Sequence, residues 1–128
     1  MSTLEVSNLN DGTKTVATTF ITNGSAKVWC DWTTNTTTAI RDSFNVSSLT
    51  DLGTGITTIN YTSSMGSSSY AGVMYTGAGD VDTAYTNFNN QYTGGFGSKT
   101  VSSITLGAYQ ASFVDAFKND AVIVGDLA

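Results

Sequence analysis

SSLTDLGTGITTINY, residues 47–61, carries the clearest structural signal in the chain. Gly53 and Gly55 lie at its centre, and glycine tolerates the positive φ angles that a tight turn between antiparallel strands requires. After the turn, Thr57, Ile59 and Tyr61 occupy alternate positions, which is typical of a strand with one buried face. The sequence therefore predicts a β-hairpin at this point.

The same alternation precedes the hairpin in AKVWCDW, residues 26–32. The apolar face of this predicted strand comprises Ala26, Val28, Cys30 and Trp32, and the opposite face comprises Lys27, Trp29 and Asp31. Further strands are predicted over residues 39–46, 46–52, 69–75, 101–108 and 121–124. Short strands separated by Gly-rich turns predict an all-β fold, an antiparallel β-sandwich of jelly-roll-like or immunoglobulin-like type.

The composition excludes most kinds of chemistry. Thr, Ser, Asn and Gly make up 60 of the 128 residues, charged residues are 12%, and the chain has no His and no Pro. Without histidine there is no Ser-His-Asp or Cys-His catalysis and no histidine-liganded zinc. Cys30 is the one cysteine, so zinc–thiolate sites and intrachain disulfides are excluded too, and we expect it to be a small buried hydrophobe. We predict no enzyme activity, no metal and no cofactor.

The charge pattern and hydropathy limit the partners. The net charge is −5, and four Lys and one Arg are spread singly along the chain, so no basic stripe is present to bind nucleic acid. No apolar run approaches the ~20 residues of a membrane span. Residues 2–12 lack the basic-then-apolar order of a signal peptide. The sequence therefore predicts neither nucleic-acid binding nor membrane insertion or secretion.

Residues 1–25 contain too few apolar side chains to form a core of their own, and we interpret them as an N-terminal arm for attachment and oligomerisation. The sandwich domain is predicted to span residues 26–128. Trp29, which faces outward, is covered by a second layer or a neighbouring subunit, or it forms a sticky surface. The candidate oligomer-interface residues are Trp29, Leu4, Val6 and Phe20.

The surface composition favours self-association. Small uncharged side chains lose little rotamer entropy when identical chains pack together. Exposed strand edges are normally protected by Lys or Pro, and this chain has four Lys and no Pro. We expect a homotrimer, with a monomer that has ordinary polar strand edges as the alternative.

Residues 77–99 are predicted to form a long loop with at most one helical turn, since Thr and Asn are poor helix formers. Aromatic rings and amides are the groups that bind the CH faces and hydroxyls of a neutral saccharide. The alternative is that the rings pin the loop to the sandwich or to a neighbouring subunit. The candidate receptor or glycan contacts are Tyr85, Asn87, Phe88, Asn89, Asn90, Gln91 and Tyr92.

Two pairs of carboxylates are candidate chemical sites. Asp80 and Asp82 lie two residues apart and could donate oxygens to calcium, but the spacing supplies too few ligands, and turn-forming solvated aspartates are the favoured interpretation. Asp115 with Asp120 could be nominated as glycosidase carboxylates, but nothing in the sequence positions or tunes them. Neither pair changes the prediction of a protein without enzyme activity.

Several blocks, in order, resemble a module of tail-fibre and other appendage proteins of marine tailed bacteriophages. That module commonly contains an AKAW block, an IR-x-S-x-NVSS hairpin and a short apolar strand ending in Gly-Asp. The resemblance covers about residues 20–75 and the last ten, and Trp29 occupies the position of the module's tryptophan. The matching blocks are NGSAKVW (23–29), AIRDSFNVSSLTD (39–51), GTG (53–55), TINY (58–61) and AVIVGD (121–126).

The resemblance implies a β-rich, usually homotrimeric module of a virion appendage, with loops that contact the host surface. We therefore expect a tail-fibre or fibre-tip protein that attaches to other virion proteins through residues 1–25 and recognises a host cell-surface glycan. The alternative is a capsid decoration or head-fibre protein with a purely structural role.

Overall fold

The structure, a computed structural model, describes residues 2–77, 93–109 and 112–128. Its described residues form ten strands and one short helix. In chain order they are β1 (Asn8–Asn10), β2 (Thr15–Ala17), α1 (Thr18–Gly24), β3 (Ala26–Thr33), β4 (Ala39–Phe44), β5 (Val46–Gly53), β6 (Ile56–Tyr61), β7 (Ala71–Gly77), β8 (Thr93–Lys99), β9 (Ser103–Tyr109) and β10 (Lys118–Val124).

Two four-stranded antiparallel sheets form a sandwich-like architecture, as predicted. Sheet I has the order β4-β3-β10-β7, and sheet II has the order β5-β6-β9-β8. The chain passes from sheet I to sheet II at Asn45, which adopts a left-handed φ of +58°. Asn45 is held there by Ser63, whose backbone N–H donates to Asn45 Oδ1 at 2.7 Å. A single residue, Asn45, therefore connects β4 of sheet I to β5 of sheet II.

The core lies between the inward faces of the two sheets. The alternation predicted in the hairpin is confirmed, since Thr57, Ile59 and Tyr61 are buried. The alternation in β3 is confirmed from Val28 onward, where the inward side chains are buried and Trp29 is on the outer face. It was wrong at the start of the strand, where Ala26 is exposed and Lys27 is buried, because the register of β3 against β10 shifts there. The buried cluster comprises Val28, Cys30, Trp32, Ile59, Tyr61, Met65, Tyr70, Ile104, Leu106, Ala121 and Ile123.

The turn of the β5–β6 hairpin uses both of its glycines as predicted. Gly53 has a φ of +120° and Gly55 a φ of +67°. Asp51 Oδ1 accepts the backbone N–H of Gly53 at 2.8 Å, and Asp51 Oδ2 accepts the hydroxyl of Thr38 at 2.7 Å. The Thr38 hydroxyl, followed by the Gly53 N–H, lowers the pKa of Asp51. The turn is thus fixed by its glycines and by one carboxylate.

The prediction of a continuous loop over residues 77–99 was wrong at its C-terminal end. Residues Thr93–Lys99 form β8, which pairs with β9 at the edge of sheet II. Its glycines permit close packing, because a Cβ on Gly94 would lie 2.8 Å from Cγ of Met74. Glycines that are typical of a loop therefore let an edge strand approach β7. Residues 78–92 lie outside the described residues.

The segment 112–117 links the two sheets. On one side the N–H of Gly55 in sheet II donates to Asp115 Oδ1 at 2.7 Å. On the other side the carbonyl oxygen of Ala116 accepts the backbone N–H of Thr34, which follows β3 of sheet I, and the N–H of Ala116 donates to the Thr34 hydroxyl oxygen at 2.8 Å. The Asn119 side chain also donates to the carbonyl oxygen of Ala116 at 3.3 Å. This segment therefore anchors the turn of sheet II to the end of sheet I.

Residues 2–25 form the β1–β2 hairpin and α1. No residue of α1 is buried. Lys27 Nζ, itself mostly buried, donates to the carbonyl oxygens of Ile21 and Ser25 at 3.3 and 3.1 Å. Within the part of the chain that the structure describes, no helix is long and apolar enough to cross a membrane.

Candidate functional site

The outer face of sheet I carries an apolar row that crosses all four strands. Trp29 on β3 lies opposite Phe44 on β4 and opposite Val122 on β10, and Val122 in turn lies opposite Val73 on β7. Directly opposed residues of antiparallel strands share one face, so these side chains are neighbours. Val73 is 68% exposed and Phe44 53% exposed, while Trp29 is half-buried. We call Phe44, Trp29, Val122 and Val73 the apolar row.

An acidic row lies beside the apolar row on the same face. Asp31 on β3 is opposite both Asp42 on β4 and Asp120 on β10. Arg41, displaced by a β-bulge in β4, pairs with Asp31 at 3.6 Å and donates a hydrogen bond to the carbonyl oxygen of Phe117 at 2.7 Å. We call Asp42, Asp31 and Asp120 the acidic row. Crowding of these carboxylates gives this face a negative band.

The environment of Asp120 disfavours its charged form. Partial burial, and next the charge of Asp31, raise the pKa of Asp120, against smaller opposing effects of Lys118 and Arg41. A carboxyl whose pKa is higher in the native than in the unfolded state binds protons more tightly in the native state. Its contribution to stability therefore falls as the pH rises from 3.8 through the native pKa, and at neutral pH the charge destabilises the fold.

The Asp120→Asn variant is accordingly expected to be more stable than the natural chain at pH 7, by less than about 1 kcal/mol because the site is partly exposed. The gain in stability should vanish below pH 3.8, where Asp120 is protonated and neutral in both the folded and the unfolded state. Urea denaturation at pH 7 and pH 3 measures it. Asp126→Asn, at an exposed carboxylate outside the row, is the control. A loss of stability at pH 7 would contradict the assignment.

The structure places the predicted oligomer-interface residues in two regions. Trp29 belongs to the apolar row on sheet I. Leu4 and Phe20 are 84% and 74% exposed, and Val6 is exposed as well. The arm candidates are therefore open to solvent, and Trp29 sits among apolar neighbours on the sheet.

The candidate contacts for a receptor or glycan, Tyr85, Asn87, Phe88, Asn89, Asn90, Gln91 and Tyr92, lie outside the described residues, as do Asp80 and Asp82. They stay predictions from the sequence. Asp115 accepts the Gly55 N–H, and Asp120 belongs to the acidic row, so the two nominated carboxylates have separate structural surroundings.

Cys30 is buried in the core, as expected. Burial, and next the charges of Asp31 and Asp120, raise the pKa of its thiol to about 12. The thiolate that a nucleophile or metal ligand requires is therefore scarce at neutral pH. Among residues 2–77, 93–109 and 112–128 no group of three or more His, Cys, Asp or Glu side chains could hold a metal ion.

Sequence reasoning missed Phe44, Val73 and Val122 as partners of Trp29. Strand alternation predicts which face of its own strand each of these residues occupies. It does not predict the register between strands, and that register is what aligns the residues across sheet I. Their common signal was a large apolar residue at a position that alternation assigns to the solvent face.

Comparisons with known proteins add no assignment to this picture. No protein-family model, no curated protein and no solved structure matches this chain.

Proposed function

We propose that this chain is a virion structural protein of a tailed bacteriophage, a homotrimeric tail-fibre or fibre-tip module that attaches through residues 1–25. Its jelly-roll-like or immunoglobulin-like sandwich presents loops for recognition of a host-surface glycan. The chain acts by binding and assembly, without enzyme activity or a cofactor. The order of sequence blocks shared with phage appendage modules supplies the setting of this proposal.

The apolar row is the observation that carries the assembly part of the proposal. Soluble monomers seldom expose large aligned apolar side chains, and such patches mark sites of protein contact. Val73 and Phe44 are more than half exposed, and both lie in register with Trp29 and Val122. A surface of this kind on a domain with few charges suits packing between protein subunits.

Location on the virion tests this proposal. Particles of the phage that encodes this chain are purified and labelled with gold-conjugated antibody raised against the recombinant protein. Label at the tail tip or tail fibres is the expected result. Label over the capsid assigns the protein to a decoration or head-fibre role, and label nowhere on the particle overturns the virion assignment.

Residues 85–92, for which the sequence predicts a loop, are expected to supply the host contact. Replacement of Tyr85, Phe88 and Tyr92 with Ser removes the flat rings that stack on sugar faces. Binding of the recombinant oligomer to host cells should then fall at least about tenfold, a loss of ~1.4 kcal/mol. The matched control replaces Tyr109, an exposed tyrosine on sheet II, with Ser. Unchanged adsorption of the triple variant, with its oligomeric state intact, would contradict the role of these residues.

A further inference from the structure

The apolar row needs a covering surface. It crosses four strands, so at a strand spacing of ~4.8 Å it extends about 14 Å across sheet I. Its two outermost members, Phe44 and Val73, are the most exposed. A continuous apolar band of this length is typical of a binding surface rather than of scattered surface residues.

The arm also lacks a covering surface. Leu9 and Val16 are direct partners across β1 and β2, and with Ile21 they line one shallow concavity. All three side chains are exposed. Two three-residue strands and a seven-residue helix are too short to keep their shape without packing on something else. The arm therefore requires an apolar partner surface.

Its own sandwich does not supply that surface. The arm is tied to the sandwich at its C-terminal end, where Lys27 Nζ donates to the carbonyl oxygens of Ile21 and Ser25. Within the arm, the Ser25 N–H closes the end of α1 by donating to Ile21 O at 3.2 Å. With this junction formed, Phe20 is still 74% exposed. The arm thus leaves its apolar side chains exposed even with this junction in place.

The acidic row argues against stacking of sheet I on sheet I. A back-to-back contact that aligned the two acidic rows would bring Asp42, Asp31 and Asp120 of one copy close to the same carboxylates of the next copy, and like charges juxtaposed in an interface oppose association. Residues 2–25 contain three charged side chains, Glu5, Asp11 and Lys14. An arm with so little net charge can cover the apolar row without that repulsion.

We propose that residues 2–24 of one copy lie across the apolar row of a neighbouring copy. This inference rests on the self-association within the proposed function and adds the two surfaces through which copies meet. Because the surface on one copy meets a different surface on the next, successive contacts close into a ring, as a trimer requires, when the rotation between copies closes, and extend into an open filament when it does not. It is independent of where the protein sits on a virion.

Disulfide trapping between two differently tagged full-length chains tests the contact. One chain carries Phe20→Cys and the other Val73→Cys, so a mixed disulfide joins two separate copies. The buried Cys30 stays in both chains, since its thiol is protected. The matched control pairs Phe20→Cys with Leu52→Cys, which is similarly exposed but lies on sheet II. We expect the Phe20–Val73 pair to form at least about ten times more mixed disulfide than the control pair.

The mass of the unmodified protein in solution, measured by light scattering, separates this inference from the proposed function. If the protein is an oligomer, equal amounts of mixed disulfide in the two pairs overturn the arm contact and leave the homotrimer standing. A disulfide that forms only between two copies of the Val73→Cys chain has the same consequence. A monomer at every concentration overturns both, while the virion labelling still tests the appendage role.

A second variant guards against a trapping artefact. Val73→Asp adds a charge at a side chain that is 68% exposed, so the fold is retained. The oligomer should dissociate at a concentration at least about tenfold higher than the natural chain, and Leu52→Asp should not move this concentration. Equal effects of the two substitutions would overturn the proposal.

Discussion

The Gly55→Ala variant is expected to lose more than about 3 kcal/mol of unfolding free energy. Gly55 has a φ of +67°, and a Cβ built there would lie 2.3 Å from the carbonyl oxygen and 2.6 Å from the nitrogen of Val114. Both atoms belong to the backbone, so no side-chain rotation relieves the overlap. The segment that contains Val114 must move.

This movement would disrupt the link between the two sheets. The N–H of Gly55 donates to Asp115 Oδ1 at 2.7 Å, and its carbonyl oxygen accepts the N–H of Ala108 at 2.8 Å. Val114, next to Asp115, also donates its N–H to the carbonyl oxygen of Ala108 at 3.1 Å. A methyl group at Gly55 therefore weakens or breaks these three hydrogen bonds, and their loss adds to the destabilisation caused by the steric overlap.

Urea denaturation of three variants separates the causes. Gly53→Ala, at a φ of +120° with no atom within 4 Å of the new Cβ, suffers backbone strain alone and should lose about 1–3 kcal/mol. Gly95→Ala, on β8 with open space around it, should change stability by less than about 0.5 kcal/mol. If Gly55→Ala loses no more unfolding free energy than Gly53→Ala, the backbone at Val114 moves away from the new methyl group without destabilising the fold.

The β5–β6 hairpin, which contains Gly55, could be predicted from the sequence for a physical reason. Its signals are local, because the glycines Gly53 and Gly55 and the inward residues Thr57, Ile59 and Tyr61 lie within nine positions of one another. A pleated strand alternates with period two wherever it lies, so the buried face of each strand could be assigned before its partner was known.

The apolar row could not be derived in the same way. Trp29 and Val122 are separated by more than ninety positions, and their pairing depends on the register of β3 against β10, which local alternation does not encode. β8 was missed for a different reason. Glycines are typical of loops, yet here Gly94 serves close packing on Met74.

The buried polar cluster of Asn119, Thr76 and the carbonyl oxygen of Ala116 could not be predicted from local sequence patterns either. Asn119 is 1% exposed. Its Oδ1 accepts the hydroxyl of Thr76 at 2.9 Å, and its Nδ2 donates to the carbonyl oxygen of Ala116 at 3.3 Å. Thr76 lies 43 positions away, so the sequence shows only an asparagine in an apolar strand.

Asn119→Ala is expected to cost about 3 kcal/mol. The substitution leaves a cavity and takes partners from Thr76 and Ala116 in a region that water does not reach, so each group bears its desolvation penalty. It also loosens the segment 112–117, because Ala116 is then held by Thr34 without the amide of Asn119. Thermal and urea unfolding measure the loss.

The matched control is Asn60→Ala on β6. Asn60 also bonds across strands, to the hydroxyls of Ser48 and Thr50, but it is only half-buried and water can replace those bonds, so its loss should stay below about 1 kcal/mol. A double-mutant cycle with Thr76→Val then isolates the Thr76–Asn119 bond, with an expected coupling of about 1 kcal/mol. Equal losses of unfolding free energy in the Asn119 and Asn60 variants would contradict the prediction. Burial would then not strengthen the hydrogen bonds of the Asn119 amide, and the cluster would not anchor the segment that joins the two sheets.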